Sequence, residues 1–390
     1  MNKNIFIGGV FPKEYDSFFK EKGKDNFSQV VFNETVVEKM LENNQLDYVY
    51  GVGDVGHFPM FSKTFKMKTI EVNDKHTLLG YNNLVGLNVY SKSNHIYRLF
   101  KKQYSKKETF NIIVSEASIS FLRAASKIKR RNKGSKITLI LFDLPEFVEG
   151  TKKSGLYSFL KKKSNKKMKK YYEDVDSFVY LAEKMKEATG NVDKPYIVFP
   201  GIVNLDTYKG LTKEKSKTID IVYSGTISKQ FDIDFLVEAF KKTNRDDLRL
   251  ILVGGGEGVN YVKEESNKDK RIEYKGVVSR VDALKIQFNA TYLVNPRLPN
   301  HNFSEYSFPS KTMNYLLTLN PFISFATKAF PKDIASLLIQ PESYEVNSLT
   351  KIFDKLENNP KVDKDKVLSI LGNYTVDSFV SKLLEMVNKQ

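Results

Sequence analysis

The stretch Ile219-Asp-Ile-Val-Tyr-Ser-Gly-Thr-Ile-Ser-Lys-Gln-Phe-Asp-Ile-Asp-Phe-Leu-Val-Glu-Ala-Phe-Lys241, with Leu248-Arg-Leu-Ile-Leu-Val253 after it, decides the fold. Ile219–Tyr223 is a short apolar run, and Gly225 opens the turn that follows it. Ile233–Lys241 then carries apolar residues at helical spacing, and Leu248–Val253 is apolar again. A strand, a helix and a strand in that order make a crossover between parallel strands, with the helix on a sheet face.

The alternation extends in both directions. Downstream lie strands Ile272–Tyr274, Tyr292–Val294 and Pro321–Ser324, helices Val281–Asn289 and Ser310–Thr318, and two terminal helices. Upstream, Asn4–Ile7, Asp47–Tyr50, Asn111–Val114 and Ile137–Phe142 read as buried strands, with helical spacing at Val36–Leu41 and Phe121–Ile128. Pro200-Gly201 and the polar stretch Lys209–Lys217 read as a connection. The expectation is an α/β chain of two Rossmann-like, doubly wound domains facing across a cleft. Residues 1–203 form the first, 204–217 a linker, 218–372 the second, and 373–390 a closing helical segment. No internal repeat is present.

Composition narrows the class. With 390 residues, 41% apolar and 28% charged, the chain is neither collagenous, low-complexity nor a coiled-coil rod. It has no cysteine, which excludes disulfides, thiolate metal sites and a cysteine nucleophile. No apolar run reaches the roughly 18 residues of a spanning helix. Met1–Val10 is broken by Gly8 and Gly9 too early for a signal peptide, so a soluble, cytoplasmic protein is expected. The net charge is +16, from 62 Lys and Arg against 46 Asp and Glu. Lys152–Lys170 holds nine of those lysines and no acid, with Tyr157, Phe159 and Leu160 among them. Such a block attracts phosphates, here an anionic membrane surface at the inner face of the plasma membrane. A solvated lysine face is the plainer reading. With no helix-turn-helix, zinc finger or RNP-type motif, nucleic acid is not an expected partner. An oligomer is left open.

In doubly wound sheets, ligands bind beyond the carboxyl ends of the strands. Three loops there attract attention. Tyr223-Ser-Gly-Thr-Ile-Ser-Lys229 lets a ligand approach Gly225 and Thr226 closely. Val253-Gly-Gly-Gly-Glu-Gly258 departs from the dinucleotide fingerprint at Val259 and reads as a tight turn. Val294-Asn-Pro-Arg297 and Glu305-Tyr-Ser-Phe-Pro-Ser-Lys-Thr-Met-Asn314 form the third. Pro309 and Ser310 mark a helix start with Ser310 as N-cap, so Ser310 and Lys311 would stand at its positive end, and Arg297 would add a planar fork for the same diphosphate.

Ser307-Phe-Pro-Ser-Lys-Thr-Met313, followed by Tyr315-Leu316 and preceded by Asn295-Pro-Arg297, resembles bacterial exopolysaccharide and capsule glycosyltransferases of the retaining family four, which have the two-domain GT-B fold. Tyr223-Ser-Gly-Thr226, Leu250-Ile-Leu-Val-Gly-Gly-Gly256 and Arg271-Ile-Glu-Tyr-Lys-Gly276 resemble segments of its second domain. Val55-Gly-His-Phe-Pro59, Phe121-Leu-Arg-Ala-Ala-Ser-Lys127 and Asp143-Leu-Pro-Glu146 resemble its acceptor domain. The resemblance implies a nucleotide-sugar donor, UDP-linked by preference, and a cell-surface glycan, glycolipid or glycoprotein acceptor. It implies retention of configuration and no cofactor or metal. Lys311, Arg297 and Glu305 would be catalytic. Gly225, Thr226, Val277, Ser310 and Asn314 would bind the donor, with Val277 near the base. Gly9, Ser118 and Asp143 would lie on the acceptor side, and a last helix at about Val376–Val387 would brace the first domain.

Some positions depart from that pattern. Asn314 stands where relatives carry a second glutamate, at a spacing of eight residues rather than seven. Thr226 and Phe231 replace an Arg and a Lys, and Ser118 a His. A degenerate partner that stabilises an active glycosyltransferase, and a sugar-nucleotide epimerase of the same fold, therefore remain alternatives. Asp232-Ile-Asp234 and Asp174-Val-Asp176 mimic a manganese-binding pair, but an Asp opening a helix serves the dipole. His57, His76, His95 and His301 are scattered.

Overall fold

A computed structural model describes residues 2–12, 15, 17, 27–53, 68–84, 87–144, 155–214 and 216–389. The motif Val55–Pro59, Pro145–Glu146, His57, Lys152 and Lys153 lie outside the described residues, as do the side chains of residues 155–164. The chain divides into two compact units, Met1–Phe199 with Val376–Gln390, and Pro200–Thr375.

The first unit is built on β1 (Lys3–Gly8), β2 (Tyr48–Gly51), β3 (Ile70–Asn73), β4 (His76–Leu78), β5 (Phe110–Ser115), β6 (Lys136–Leu141), β7 (Ser177–Tyr180) and β8 (Tyr196–Val198). Their order is β3-β4-β2-β1-β5-β6-β7-β8, parallel apart from the antiparallel pairing of β3 with β4. Every residue of Phe110-Asn-Ile-Ile-Val-Ser115 is buried, the continuous run that a strand covered on both faces requires. The helix Ile119–Arg131 buries Phe121, Leu122, Ala124, Ala125 and Ile128 and ends in Lys129, Arg130 and Arg131, where cations complement the dipole. The C-terminal helix Val376–Asn388 belongs to this unit: fully buried Phe379 meets Phe32 and Phe199 edge-on, with centroids 5.1 and 4.9 Å away.

The second unit contains β9 (Ile219–Ser224), β10 (Leu248–Val253), β11 (Ile272–Gly276), β12 (Tyr292–Asn295), β13 (Phe322–Ser324) and β14 (Leu338–Ile339). All pair in parallel, in the order β11-β10-β9-β12-β13-β14. Asp220 and Arg249 are register partners, and the guanidinium grips the carboxylate through both oxygens at 2.9 and 2.7 Å. A slip of the register would break that fork and bury the Asp220 charge alone.

The structure departs from the sequence reading in places. Strands β3, β4, β7, β8 and β14, each two to four residues long, are additions to the sequence reading. The closing region holds three helices, Val346–Asp354, Lys364–Gly372 and Val376–Asn388, rather than two. The polar stretch read as a linker packs on the second unit: Tyr208 stacks on Phe288 at 5.0 Å, Lys213 bonds Asn320, and the Glu214 N–H donates to Asn289.

Replacing Phe379 by Ala removes a fully buried ring between two others. We expect urea unfolding to show the first unit destabilised by about 3–5 kcal/mol.

Candidate functional site

In the second unit the strand order reverses between β9 and β12. A doubly wound sheet opens its ligand crevice at such a reversal. The β9 loop carries Gly225 and Thr226, the β12 loop carries Arg297, and the helix Lys311–Leu317 contributes Lys311.

Lys311 lies with its ammonium 3.8 Å from the centre of the Tyr223 ring, against the open face of Gly225. A Cβ at Gly225 would collide with the Lys311 ammonium, so glycine is what admits the cation here. Burial, with a smaller push from the Arg297 charge, takes the Lys311 ammonium down to about 7. Among the described residues, Lys311 forms no ion pair. Arg297 is buried, with 5% of its surface exposed; its guanidinium sits 4.4 Å over the Phe303 ring and reaches Ser304 Oγ at 3.3 Å. Two cations are thus gathered at one crevice on an aromatic and glycine floor.

The surrounding loops are locked by their backbones. The Tyr223 hydroxyl donates to the Thr226 carbonyl at 2.8 Å, and Tyr315 Oη accepts from the Ser224 N–H at 2.7 Å. Burial raises both phenols, which stay protonated. Gly225 N–H donates to the Val253 carbonyl, and Ile227 N–H to the Gly255 carbonyl. Gly254, at φ +135°, presses on the Gly225 carbonyl, and Gly256, at φ +148°, on that of Ile227. The glycine-rich turn after β10 therefore supports the β9 loop. Val277 is 78% exposed and touches the same turn, where a Cβ on Gly255 would stand 3.0 Å from it.

Asp232 fixes the β12 loop. It begins the helix Ile233–Lys241 in the left-handed region, at φ +59°, and accepts from the Leu298 N–H at 2.8 Å while His301 Nε2 lies 2.8 Å away. Burial pushes its carboxyl up, against the pull of these two partners. Asp234 lies 3.9 Å from Lys229, Asp174 pairs with Arg130 and Asp176 with Lys129, so neither Asp-x-Asp pair is vacant. Among the described residues no three His, Asp or Glu side chains cluster as metal ligands.

Other expected residues stand as follows. Glu305 lies in the turn before the helix and pairs with Lys328 at 2.6 Å. Ser310 and Asn314 are exposed on the first turns of that helix. The N-cap role expected of Ser310 is not realised: its backbone is already helical at φ −56°, ψ −27°, and its side chain makes no capping bond. The helix is only seven residues long, so side-chain cations rather than a macrodipole dominate this end.

In the first unit the order reverses between β1 and β5, beside Gly9 and Ser118. Asn33 donates to the Gly9 carbonyl at 3.2 Å and accepts from Ser115 Oγ at 2.6 Å, while Gln29, one turn earlier on the same helix, donates to Asp143 at 3.3 Å. The single helix Phe27–Glu42 thus ties all three loops. Ser118 occupies an N-cap position without a side-chain capping bond. Two residues earlier Glu116 holds a left-handed φ of +71°, a strain found preferentially at functional loops.

No protein-family model and no curated protein matches the chain. Solved structures do match, over essentially the whole length. A trehalose-6-phosphate synthase structure, from work on glycosyl transfer with retention, aligns at TM-score 0.66 with 10% identity, covering 100% of this chain and 99% of that one. The lipopolysaccharide outer core galactosyltransferase WaaB aligns at 0.62 with 14% identity and 99% of both chains, and Anabaena HepE in complex with UDP at 0.59 with 10% identity and 100% of both. With two parallel-dominated sheets, these superpositions define the GT-B fold.

A Gly254→Ala chain would drive a methyl into the Gly225 carbonyl at a φ that side chains avoid. We expect it to lose about 2 kcal/mol or more in thermal unfolding. Gly372→Ala, at an uncrowded helical position, should be neutral or slightly stabilising.

Proposed function

We propose that the chain is a glycosyltransferase that takes its sugar from a nucleotide-diphosphate donor, a UDP-sugar first, without a metal. The observation that carries this reading is the pairing of Lys311 with Arg297 at the β9/β12 reversal, on a floor opened by Gly225. Two crowded, partly desolvated cations favour an anion bearing more than one charge. When the glycosidic bond to the donor breaks, negative charge grows on the leaving diphosphate. Lys311 and Arg297 stand ready to stabilise it, the work a divalent ion does in other transferases. Thr226, Ser310 and Asn314 offer polar groups to the donor, Val277 an apolar surface for the base, and Glu305 a carboxylate for the sugar.

UDP in the HepE structure, and retention named for the trehalose-6-phosphate synthase structure, support the same reading. In the first unit, Gly9, Ser118 and Asp143 would orient the acceptor hydroxyl. The acceptor class is a cell-surface glycan, glycolipid or glycoprotein, in keeping with the resemblance to exopolysaccharide and capsule enzymes of the retaining family four. Among the described residues no helix is long and apolar enough to cross a membrane. A lipid-linked acceptor would bring the enzyme to the inner face of the plasma membrane, with Lys152–Lys170 meeting anionic lipid.

Calorimetric titration with UDP, GDP, ADP and CMP tests the donor site. One nucleoside diphosphate should bind, equally well with EDTA present, and Lys311→Ala should weaken it about 10- to 100-fold. Binding of none of the four overturns the reading.

The pH dependence has a defined sign. Lys311 titrates near 7 in the folded chain and near 10.5 when unfolded. The free protein therefore gains stability as pH rises through that window. A bound diphosphate favours the ammonium, so UDP affinity should fall as pH rises above 7, with proton uptake on binding. Titrations at pH 8 in buffers of different ionisation enthalpy measure that uptake, and Lys311→Ala should abolish it.

A further inference from the structure

A second cationic site lies in the first unit. Tyr97 and Lys101 from the helix Leu87–Gln103, Lys106 from the turn after it, and Lys127, Arg130 and Arg131 from Ile119–Arg131 line a cavity of about 610 Å³. Both helices end here, just before β5 and β6 begin. The cavity therefore stands at the amino edge of the strands, roughly 20 Å along them from Gly9 and Ser118.

Its charges are poorly balanced. Arg130 pairs with Asp174 at 2.9 Å, and Arg131 spends its N–H groups on the carbonyls of Tyr104 and Ser105. Among the described residues, the Lys127 ammonium bonds the neutral Asn94 amide oxygen, at 2.9 Å, and forms no ion pair. Lys101 and Lys106 are exposed and, among the described residues, form no ion pair. Among the described residues, five cations thus share one paired carboxylate around this concavity, and burial together with Arg123 holds Lys127 below the ordinary lysine range. The ammonium groups of Lys101 and Lys127 lie 5.6 and 5.5 Å from the centre of the Tyr97 ring, which places both on one wall. The concavity is open to solvent, so its excess charge rather than enclosure is what would hold a ligand, and that charge calls for a compact group with several negative charges.

We propose that this cavity binds a multiply phosphorylated group, with Lys101, Lys106 and Lys127 meeting its phosphates. Such a group can arrive as the headgroup of an anionic lipid or as a soluble polyphosphate. The site shares no residue with the donor crevice, and the proposal does not rest on the activity proposed above.

The test uses the 390-residue Lys311→Ala protein, in which the proposed donor crevice is weakened, with and without Lys101→Gln and Lys106→Gln. Both added changes fall on exposed side chains. Tripolyphosphate titrated into the first protein should bind saturably at one site. The two glutamines should weaken it about 30-fold, roughly fivefold for each lysine. Sedimentation with phosphatidylcholine vesicles containing cardiolipin, but not with phosphatidylcholine alone, would assign the lipid source if tripolyphosphate releases the protein and the glutamines abolish the effect. Tripolyphosphate binding without sedimentation would assign the soluble source. No saturable binding by either probe, or binding unaltered by the glutamines, overturns the proposal.

Discussion

Lys311 and Arg297 repel each other, and the second unit is arranged to hold them together. Burial of the Lys311 ammonium, with a smaller push from the Arg297 charge, is costly in the free protein, which is why that ammonium falls to about 7. The cost is tolerated because the scaffold leaves neither cation an easy retreat. Tyr223 lies under the ammonium, Phe303 under the guanidinium, and Gly225 closes the third side. Under the proposed function, an anion carrying at least two charges would relieve all of this at once, and its affinity would be stored in the fold before it arrives.

Rigidity comes from backbone contacts. Gly254 and Gly256 lack the carbons that would separate the β10 turn from the β9 loop, so the carbonyls of Gly225 and Ile227 rest directly on them. Tyr315 joins the helix carrying Lys311 to Ser224 at the end of β9. Asp232 holds Leu298 and His301, and through them the loop that carries Arg297. The positions of Lys311 and Arg297 thus depend on polar groups bonded to the loops around them.

Much of this was legible in the sequence, for identifiable reasons. Ile233–Lys241 and Leu248–Val253 were read with the ends observed because each apolar run stops at polar residues or glycine. The sequence marks Gly225 and Arg297 by their places just after strands and Lys311 by its place at a helix start, the positions on which the proposed donor site is built. The contacts of Tyr223 and Tyr315 were not legible: an aromatic residue at a buried strand or helix position looks the same whether it fills the core, lies under a cation or ties down a loop. Asp232 resembled half of a metal pair because its partners, Leu298 and His301, lie more than 60 residues on. The cap expected at Ser310 failed because the backbone is already helical there. The basic cavity was invisible because Tyr97 and Arg131 come together only once two helices pack.

A crystal structure of the full chain soaked with UDP in the presence of EDTA tests the central claim most directly. The account predicts the diphosphate at the β9/β12 reversal, with Lys311 Nζ and the Arg297 guanidinium within hydrogen-bond distance of its oxygens and no metal between them. A nucleotide bound elsewhere, or one held by a metal with Lys311 still lying on Tyr223, would contradict it.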